Sequence, residues 1–171
     1  MTHLPYIVVD VETTGLNPQN GDRVIEGGAL KLINNDIVEE FHSLINISEK
    51  ISIGAQHIHG ISRDMLEEWP KAGQVFPRLK TFIGDAMIIA HNAQFDMNFL
   101  RVEFDRISHK LANRFTCTLA LSRARYPRLP NHRLETVYWH IARNRAAVQS
   151  HRSMADARIV AEIWRVMGEK S

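Results

Sequence analysis

A chain of 171 residues, 44% of them hydrophobic and 23% charged, has the composition of one globular domain, which excludes a disordered or fibrous protein. Its one cysteine, Cys117, excludes an internal disulfide and a cysteine-based zinc cluster. The net charge is +2, the sequence has no long apolar run and its start does not resemble a leader peptide, so we expect a cytoplasmic protein without membrane contact.

The first part of the chain is predicted to form strands. Residues 6–11 are a β-branched apolar run, typical of a buried strand, and turn-forming residues follow at 15–22. Residues Val24–Ile33 and 37–45 flank a short polar turn and predict a hairpin. We therefore expect three adjacent antiparallel strands.

The remainder is predicted to alternate helices with short strands. Residues 62–69 are predicted to form a short helix, with Ser62 as its candidate N-cap and Pro70 as its stop. Strands are expected at Met87–Ala90 and 115–119. Further helices are expected around 75–83, from Ala93 onward, between the strand at 115–119 and residue 125, around 134–141, and over Ser153–Met167. This order predicts an α/β fold with a mixed five-stranded sheet, in one domain that spans residues 1–171.

Asp10 and Glu12 are two residues apart at the end of the first predicted strand. Period-two alternation puts both carboxylates on one face, and the turn after Gly15 puts them at the strand's carboxyl end, where open α/β sheets bind ligands. Two such acids repel each other, and a divalent cation that prefers oxygen, such as Mg²⁺ or Mn²⁺, removes the repulsion. The pair alone leaves another interpretation equally open, two solvated acids beyond a strand end.

Two further segments carry polar residues where predicted elements begin. Asp96 lies in the first turns of the helix that follows Asn92, where it can add a third carboxylate or only favour the helix dipole. His151 precedes the last helix and Asp156 lies in it, so the acid can complete the site and a neutral imidazole can accept a proton from metal-bound water. The alternative is a surface histidine beside a helix start. Three such segments, in this order, favour the metal site.

Three motifs of this chain resemble those of the DEDDh exonuclease family: Asp10-x-Glu12-Thr13-Thr14-Gly15, His91-Asn92-x-x-Phe95-Asp96 and His151-x-x-x-x-Asp156. The likeness extends over essentially the whole chain and is greatest to the group of proofreading epsilon subunits of bacterial DNA polymerase III. It implies a ribonuclease H-like fold, two divalent metal ions, and a 3′→5′ exonuclease that releases 5′-mononucleotides from DNA.

The resemblance also assigns roles to individual residues. It implies that Asp10, Glu12, Asp96 and Asp156 hold two ions, Mg²⁺ or Mn²⁺, and that His151 is the general base of a two-metal hydrolysis. It implies that the terminal nucleotide is contacted by a set of seven residues: Thr13, Thr14, Leu16, Ile58, His59, Asn92 and Phe95. Structural roles stay open for some of them: Phe95 in the core, His59 as a turn cap, and the threonines in the shape of the turn.

The charge of the chain is unevenly distributed. Residues 1–105 hold 8 Lys/Arg and 15 Asp/Glu, whereas residues 106–171 hold 13 and 4. This asymmetry suits a polyanion held beside metal-binding carboxylates, although solvated helix faces give the same pattern. The candidates for phosphate contacts are Arg123, Arg125, Arg128 and Arg133. We expect nucleic acid 3′ ends, single-stranded DNA above all, as the partner.

Two other functions must be distinguished from this one. An RNA 3′ exonuclease like RNase T or oligoribonuclease has the same fold and catalytic set and differs in its contacts to the base and the 2′-hydroxyl. A nucleic-acid-binding or polymerase-binding module without catalysis is disfavoured, because all five catalytic-type residues are present. The chain ends at Ser171, 15 residues past Asp156, which leaves little room for a polymerase-binding tail. We expect a free-standing exonuclease, with weak polymerase association or a homodimer left open.

Overall fold

The computed structural model describes residues 5–142 and 150–168. The strands in these ranges are β1 (Tyr6–Thr13), β2 (Val24–Ile33), β3 (Asp36–Leu44), β4 (Met87–Ala90) and β5 (Phe115–Cys117). The α-helices are α1 (Ile53–His59), α2 (Ala72–Ile83), α3 (Ala93–Arg106), α4 (Thr118–Arg125), α5 (Leu134–Ala142) and α6 (Ser153–Met167). In the described part of the chain, every helix is too short or too polar to cross a lipid bilayer.

The five strands form one mixed sheet with the order β3-β2-β1-β4-β5. β2 is antiparallel to both β1 and β3, whereas β4 is parallel to β1 and to β5. The predicted sheet, with three antiparallel strands first, is confirmed. Because β1, β4 and β5 run in the same direction, their carboxyl ends meet at one edge of the sheet.

Successive residues of β1 face two different helical layers. Ile7 and Val9 belong to the core that includes α2 and α3, whereas Val8 belongs to the core that includes α5 and α6. Asp10 and Glu12 follow Val8 at a spacing of two, so their side chains leave the strand on the α6 side. The alternation of the strand therefore directs both acids toward the first turn of the last helix.

The predicted helix at residues 62–69 is wrong, because only one turn of 3₁₀ helix, Asp64–Leu66, forms there. The sequence analysis missed α1, whose N-cap is the Ser52 hydroxyl and whose end is Gly60 at φ 71°. The two isoleucines of α1, Ile53 and Ile58, are 89% and 54% exposed, so the helix has no apolar face that periodicity could detect. The strand predicted at 115–119 ends at Cys117, where α4 begins.

Candidate functional site

The first two acids of the site, Asp10 and Glu12, lie two residues apart at the carboxyl end of β1. Asp10 is paired with Gly28 of β2 and Glu12 with Glu26. The register shifts between Glu12 and Thr13, and this irregularity ends the regular pairing beside the acids. Glu12 is buried and Asp10 is partly buried.

Asp96 reaches the same edge from the first turn of α3. Asn92 separates β4 from this helix in a left-handed conformation, φ 67° and ψ 42°, and its side chain does not cap the helix. Asp96 is 3% exposed, and its Oδ1 accepts a hydrogen bond of 3.2 Å from the backbone N–H of Val11. The bond places the carboxylate beside the segment of β1 that carries Asp10 and Glu12.

Asp156 and His151 come from the first turn of α6 and from the loop before it. Asp156 is 1% exposed, and its Oδ1 accepts a 3.1 Å hydrogen bond from the N–H of Ser150. His151 has φ 50°, a conformation that costs free energy outside glycine and asparagine and is common at functional sites. Ligand atoms of Glu12, His151 and Asp156 all lie within 4.8 Å of one another.

The acids of this cluster hold their protons unusually tightly. Burial, followed by repulsion from Asp96 and Glu12, raises the pKa of Asp10 well above its ordinary value. Burial, followed by repulsion from Asp156, raises the pKa of Glu12 to about 8. Burial raises the pKa of Asp96 to about 8. Four carboxylates that repel one another and one imidazole are the donor set of a divalent cation with a preference for oxygen, so the residues fit such a metal.

The cluster opens into a pocket of about 640 Å³. Its lining includes all five catalytic candidates and six of the seven candidates for substrate contact: Asp10, Glu12, Asp96, His151 and Asp156, with Thr13, Leu16, Ile58, His59, Asn92 and Phe95. Leu16 is 81% exposed, so an apolar side chain stands at the rim of a polar site. The fold thus brings residues from three separate motifs into one cavity.

Thr14 is the candidate that the structure does not bring to the pocket. Its N–H donates to the carbonyl of Arg23, and its carbonyl accepts from the N–H of Ser52. Its hydroxyl donates to Asp22 Oδ1 at 3.1 Å and accepts from the N–H of Arg23 at 2.9 Å. Each polar group of Thr14 therefore has a partner within the protein, which is the structural role in shaping the turn that the sequence left open.

His59 and Phe95 line the pocket and also hold the protein together. His59 Nδ1 accepts from the N–H of Ile61 at 3.0 Å, and its Nε2 lies 3.2 Å from the carbonyl oxygen of Thr13. Burial lowers the pKa of His59, which favours the neutral ring that this pairing needs. Phe95 packs against Phe99 with ring centroids 4.9 Å apart. For these two residues the structural roles left open by the sequence are present.

Glu26 is a residue of this site that the sequence analysis missed. It is 1% exposed and accepts hydrogen bonds from Arg152 Nη2 at 2.7 Å and from the N–H of Ser153 at 3.0 Å. His42 Nε2 lies 2.8 Å from its Oε1. Arg152 and these other donors lower the pKa of Glu26 in spite of its burial. A lone acid within the apolar run of β2 was the signal that could have found it.

Gly28 lets α6 approach the sheet. A Cβ at this position would lie 2.7 Å from the backbone nitrogen of Met154 and 2.7 Å from the carbonyl carbon of Ser153. At neighbouring Gly27 a Cβ would have no other atom within 4 Å. The first turn of α6, and Asp156 with it, therefore depends on the absence of a side chain at Gly28.

The amino-acid sequence of this chain is similar to those of known exonucleases and DNA polymerases. A family model described as an exonuclease, RNase_T, matches residues 7–164. The PolC-type DNA polymerase III of Caldanaerobacter subterraneus subsp. tengcongensis is 34% identical over 96% of this chain, and that of Oceanobacillus iheyensis is 38% identical over 89%. These matches cover 12% and 10% of the polymerases, so this chain spans about a tenth of their length.

Solved exonuclease structures share the fold. Exonuclease X in complex with 5′-overhanging duplex DNA has a TM-score of 0.77 at 24% identity, over 97% of this chain and 92% of that one. The zinc-bound complex of E. coli ExoI with single-stranded DNA has a TM-score of 0.83 at 20% identity, over 95% and 40%. A 3′-exonuclease that recognises the 3′ end of a histone mRNA stem-loop has a TM-score of 0.78 at 15% identity, over 95% and 63%. The expected ribonuclease H-like fold is confirmed.

Proposed function

The chain belongs to the RNase_T exonuclease family, and we propose that it is a hydrolytic, DEDDh-type 3′→5′ exonuclease that removes nucleotides one at a time from the 3′ end of single-stranded DNA. One observation carries the proposal: Glu12, His151 and Asp156 offer ligand atoms within 4.8 Å of one another. Asp10 and Asp96 line the same pocket. The product is a 5′-mononucleotide, released when water replaces the O3′ of the strand on the scissile phosphorus.

Four acids of the pocket are the proposed metal ligands: Asp10, Glu12, Asp96 and Asp156. They fit two divalent ions, Mg²⁺ or Mn²⁺, because oxygen donors suit these cations and positive charge relieves the repulsion among the acids. When bound, such ions act as Lewis acids that lower the pKa of a bound water and stabilise a leaving oxygen.

His151 is the proposed general base. Its ring is partly exposed to the pocket, so it can accept a proton from water there. The residues on either side of it are both tethered, Ser150 to Asp156 and Arg152 to Glu26. These tethers hold the imidazole over the acids and reduce the conformational freedom that a loop histidine would otherwise have.

The terminal nucleotide is proposed to rest on the apolar part of the pocket. Leu16, Ile58 and Phe95 supply apolar surface, and Asn92 supplies an amide that the helix does not use as a cap. Leu16 is 81% exposed and Ile58 54%, so a base packed on them would remove apolar surface from water. Thr13 and His59 complete the lining near the acids, whereas Thr14 is not part of this surface.

An RNA 3′ exonuclease is the second candidate. Its basis is the histone mRNA 3′-exonuclease, which shares the fold at a TM-score of 0.78. Polymerase relatives at 34% and 38% identity, named for DNA, favour DNA. A binding module without catalysis is a weaker candidate, because no acid of the five-residue set is replaced. The single domain over residues 1–171, and a polymerase partner or a homodimer, stay predictions.

The deciding experiment compares three 5′-labelled substrates of the same sequence: single-stranded DNA, a duplex with a mismatched 3′ end, and RNA. Each is incubated with Mg²⁺, with Mn²⁺ and with EDTA. We expect stepwise shortening from the 3′ end with either metal, none in EDTA, and the highest rate on single-stranded DNA. Faster digestion of RNA would replace the DNA assignment, and digestion in EDTA would remove the metal site.

A further inference from the structure

The pocket lining also includes polar and cationic residues from elements that contribute none of the acids. Arg123 comes from α4, and Asn131, His132 and Arg133 come from the connector between α4 and α5. We call these four residues the cationic side. The residues proposed for the terminal nucleotide come instead from the end of β1, from α1 and from the start of α3.

The arginines of this region are not neutralised by the protein. Arg123, Arg128 and Arg133 are exposed, and within residues 5–142 and 150–168 no acid lies within 4.0 Å of their side-chain nitrogens. Between residues 106 and 142 the one acid is Glu135. By contrast, Arg152, directly before α6, and Arg158 on α6 are paired with glutamates. Unpaired guanidinium groups beside a four-acid cluster form a site for an anion rather than for the protein's own acids.

A partly buried histidine, His91, fixes the cationic side in place. His91 Nε2 lies 2.9 Å from the carbonyl oxygen of His132, and its Nδ1 lies 2.9 Å from Thr118 Oγ1. A carbonyl cannot donate, so Nε2 carries the proton that makes the first bond. Burial, followed by the positive charges nearby, lowers the pKa of His91 and favours this neutral form. Ser122 Oγ lies 3.0 Å from His132 Nδ1 and adds a second tie to α4.

We propose that the cationic side binds the phosphates of the strand on the 5′ side of the scissile bond, with Arg123 and Arg133 as the direct contacts. The inference rests on the proposed function and adds that the protein also binds phosphates of the substrate beyond the terminal nucleotide. Arg123 and Arg133 line the same pocket as the four acids, so a strand whose terminal base lies on the apolar part of that pocket can continue past the acids to these arginines.

Electrostatics favours such a contact. Two divalent ions would offset the charge of the four acids but not that of the phosphates beyond the scissile one. Fixed guanidinium groups attract these phosphates, and their planar donors suit phosphate oxygens. Arg128 lies three residues before Asn131, at most about 11 Å along the chain, and lines a separate pocket of about 440 Å³ with Arg125 and Tyr126. The arginines of this pocket, Arg125 and Arg128, are candidates for contact with a longer strand.

The test compares two substrates that share a terminal nucleotide. One is a 5′-labelled oligothymidylate of twenty nucleotides, and the other is the 4-nitrophenyl ester of thymidine 5′-phosphate, which has no phosphate beyond the scissile one. The variant is Arg123→Ala/Arg133→Ala. The matched control is Arg106→Ala/Arg114→Ala, which removes two exposed arginines, one at the end of α3 and one directly before β5, and changes the net charge equally.

We expect the pocket variant to lose about tenfold more kcat/KM on the oligonucleotide than on the ester. The slope of log kcat/KM against log salt concentration should become shallower by about 1.4, from about 0.7 for each lost single-strand contact. The control double variant should keep the wild-type ratio and slope. An equal loss on both substrates would place the arginines at the terminal nucleotide, and an equal loss in the control would reduce the effect to net charge. Either outcome overturns the proposal.

A binding measurement separates this inference from the proposed function. Fluorescence anisotropy of a labelled oligothymidylate, with Ca²⁺ in place of the active metal, gives Kd without turnover. If the wild-type protein binds the oligonucleotide but hydrolyses neither substrate, the proposed function fails while the arginine contact is still measured. Weaker binding by the pocket variant than by the control supports the contact, and equal binding overturns it.

Discussion

Arg152 and Glu26 join the loop that carries His151 to the second strand of the sheet. The guanidinium Nη2 lies 2.7 Å from Glu26 Oε1, and the N–H of Ser153 adds a 3.0 Å bond to Oε2. Glu26 is also the cross-strand partner of Glu12. One buried carboxylate therefore sets the position of the proposed base relative to a proposed metal ligand.

Glu26→Gln should impair turnover more than substrate binding. The amide keeps the shape of the side chain but loses the charge that holds Arg152, so His151 gains freedom. Mutation of a residue that orients a catalytic or metal-binding group typically lowers activity about 10–100-fold, and we expect such a fall in kcat with little change in KM. Steady-state kinetics on single-stranded DNA measure it.

Two further variants control this prediction. Arg158→Ala removes an arginine of α6 that pairs with exposed Glu40, and should leave kcat unchanged. Arg152→Lys keeps the charge and should recover part of the rate lost in Arg152→Ala. If Glu26→Gln raised KM alone, or if Arg158→Ala were equally slow, Glu26 would have no positioning role.

Gly28→Ala should destabilise the protein and displace the end of α6. The added methyl would meet backbone atoms of Ser153 and Met154 at 2.7 Å, and backbone cannot move aside as a side chain can. Overpacking of this kind costs about 1–3 kcal/mol. Gly27→Ala is the matched control, because its Cβ meets open space. The Tm and the exonuclease rate should both fall for Gly28→Ala. Similar values for Gly28→Ala and Gly27→Ala would contradict the close approach of α6 to the sheet.

Asp10→Asn should abolish cleavage and stabilise the metal-free protein. The substitution removes a proposed metal ligand whose pKa is raised by burial and by repulsion from Asp96 and Glu12. About 1 kcal/mol of relieved repulsion raises Tm by about 2–4 °C in a domain of this size. Thermal unfolding in EDTA and then with Mg²⁺ gives both results. In EDTA the variant should have a higher Tm than the wild type, and Mg²⁺ should raise that Tm by less. Turnover at the wild-type rate would refute the role of Asp10.

The stability of the metal-free protein should fall as pH rises toward 8. Glu12 and Asp96 have folded-state pKa values of about 8, above their ordinary values of 4.5 and 3.8. Between these limits the folded state keeps protons that the unfolded chain releases, so the contribution of the cluster declines from about pH 5 to about pH 8 and is level above that. We expect Tm in EDTA to drop from pH 6 to pH 8.5 more steeply in the wild type than in Glu12→Gln. Parallel curves would show that these acids do not titrate in this range.

The effect of a divalent metal should have the opposite pH dependence. Carboxylates must be ionised to bind it, so the metal-induced rise in Tm should grow between pH 6 and pH 8.5. A constant rise across this range would contradict the raised pKa values.

His151→Gln should slow turnover while metal binding persists. General base catalysis contributes about 10²–10⁴-fold, and the acids that hold the metal are unchanged in this variant. The rate should lose its dependence on a group that accepts a proton, which a pH–rate profile detects. His109→Ala, at the far end of α3, is the histidine control. A normal rate and an unchanged profile in His151→Gln would exclude this residue as the base.

The amino-acid sequence by itself determined the sheet and the identity of the five catalytic candidates. The alternation of side chains along a strand places Asp10 and Glu12 on one face. Asp96 follows the end of β4, and His151 and Asp156 lie at the start of α6. These features follow from spacings of a few residues, which are local properties of the chain, and from the order in which strands and helices alternate along it. α1 was missed for the same reason, since its exposed isoleucines leave no local pattern.

Only the tertiary structure decided the contacts between distant residues. Arg152 and Glu26 are 126 positions apart, and no periodicity relates them. The same holds for the fit of α6 against Gly28 and for the removal of Thr14 from the pocket by its partners in the turn. Such contacts depend on how closely the packed layers approach each other. Short-range preferences select the elements, whereas packing distances of a few ångströms select the partners.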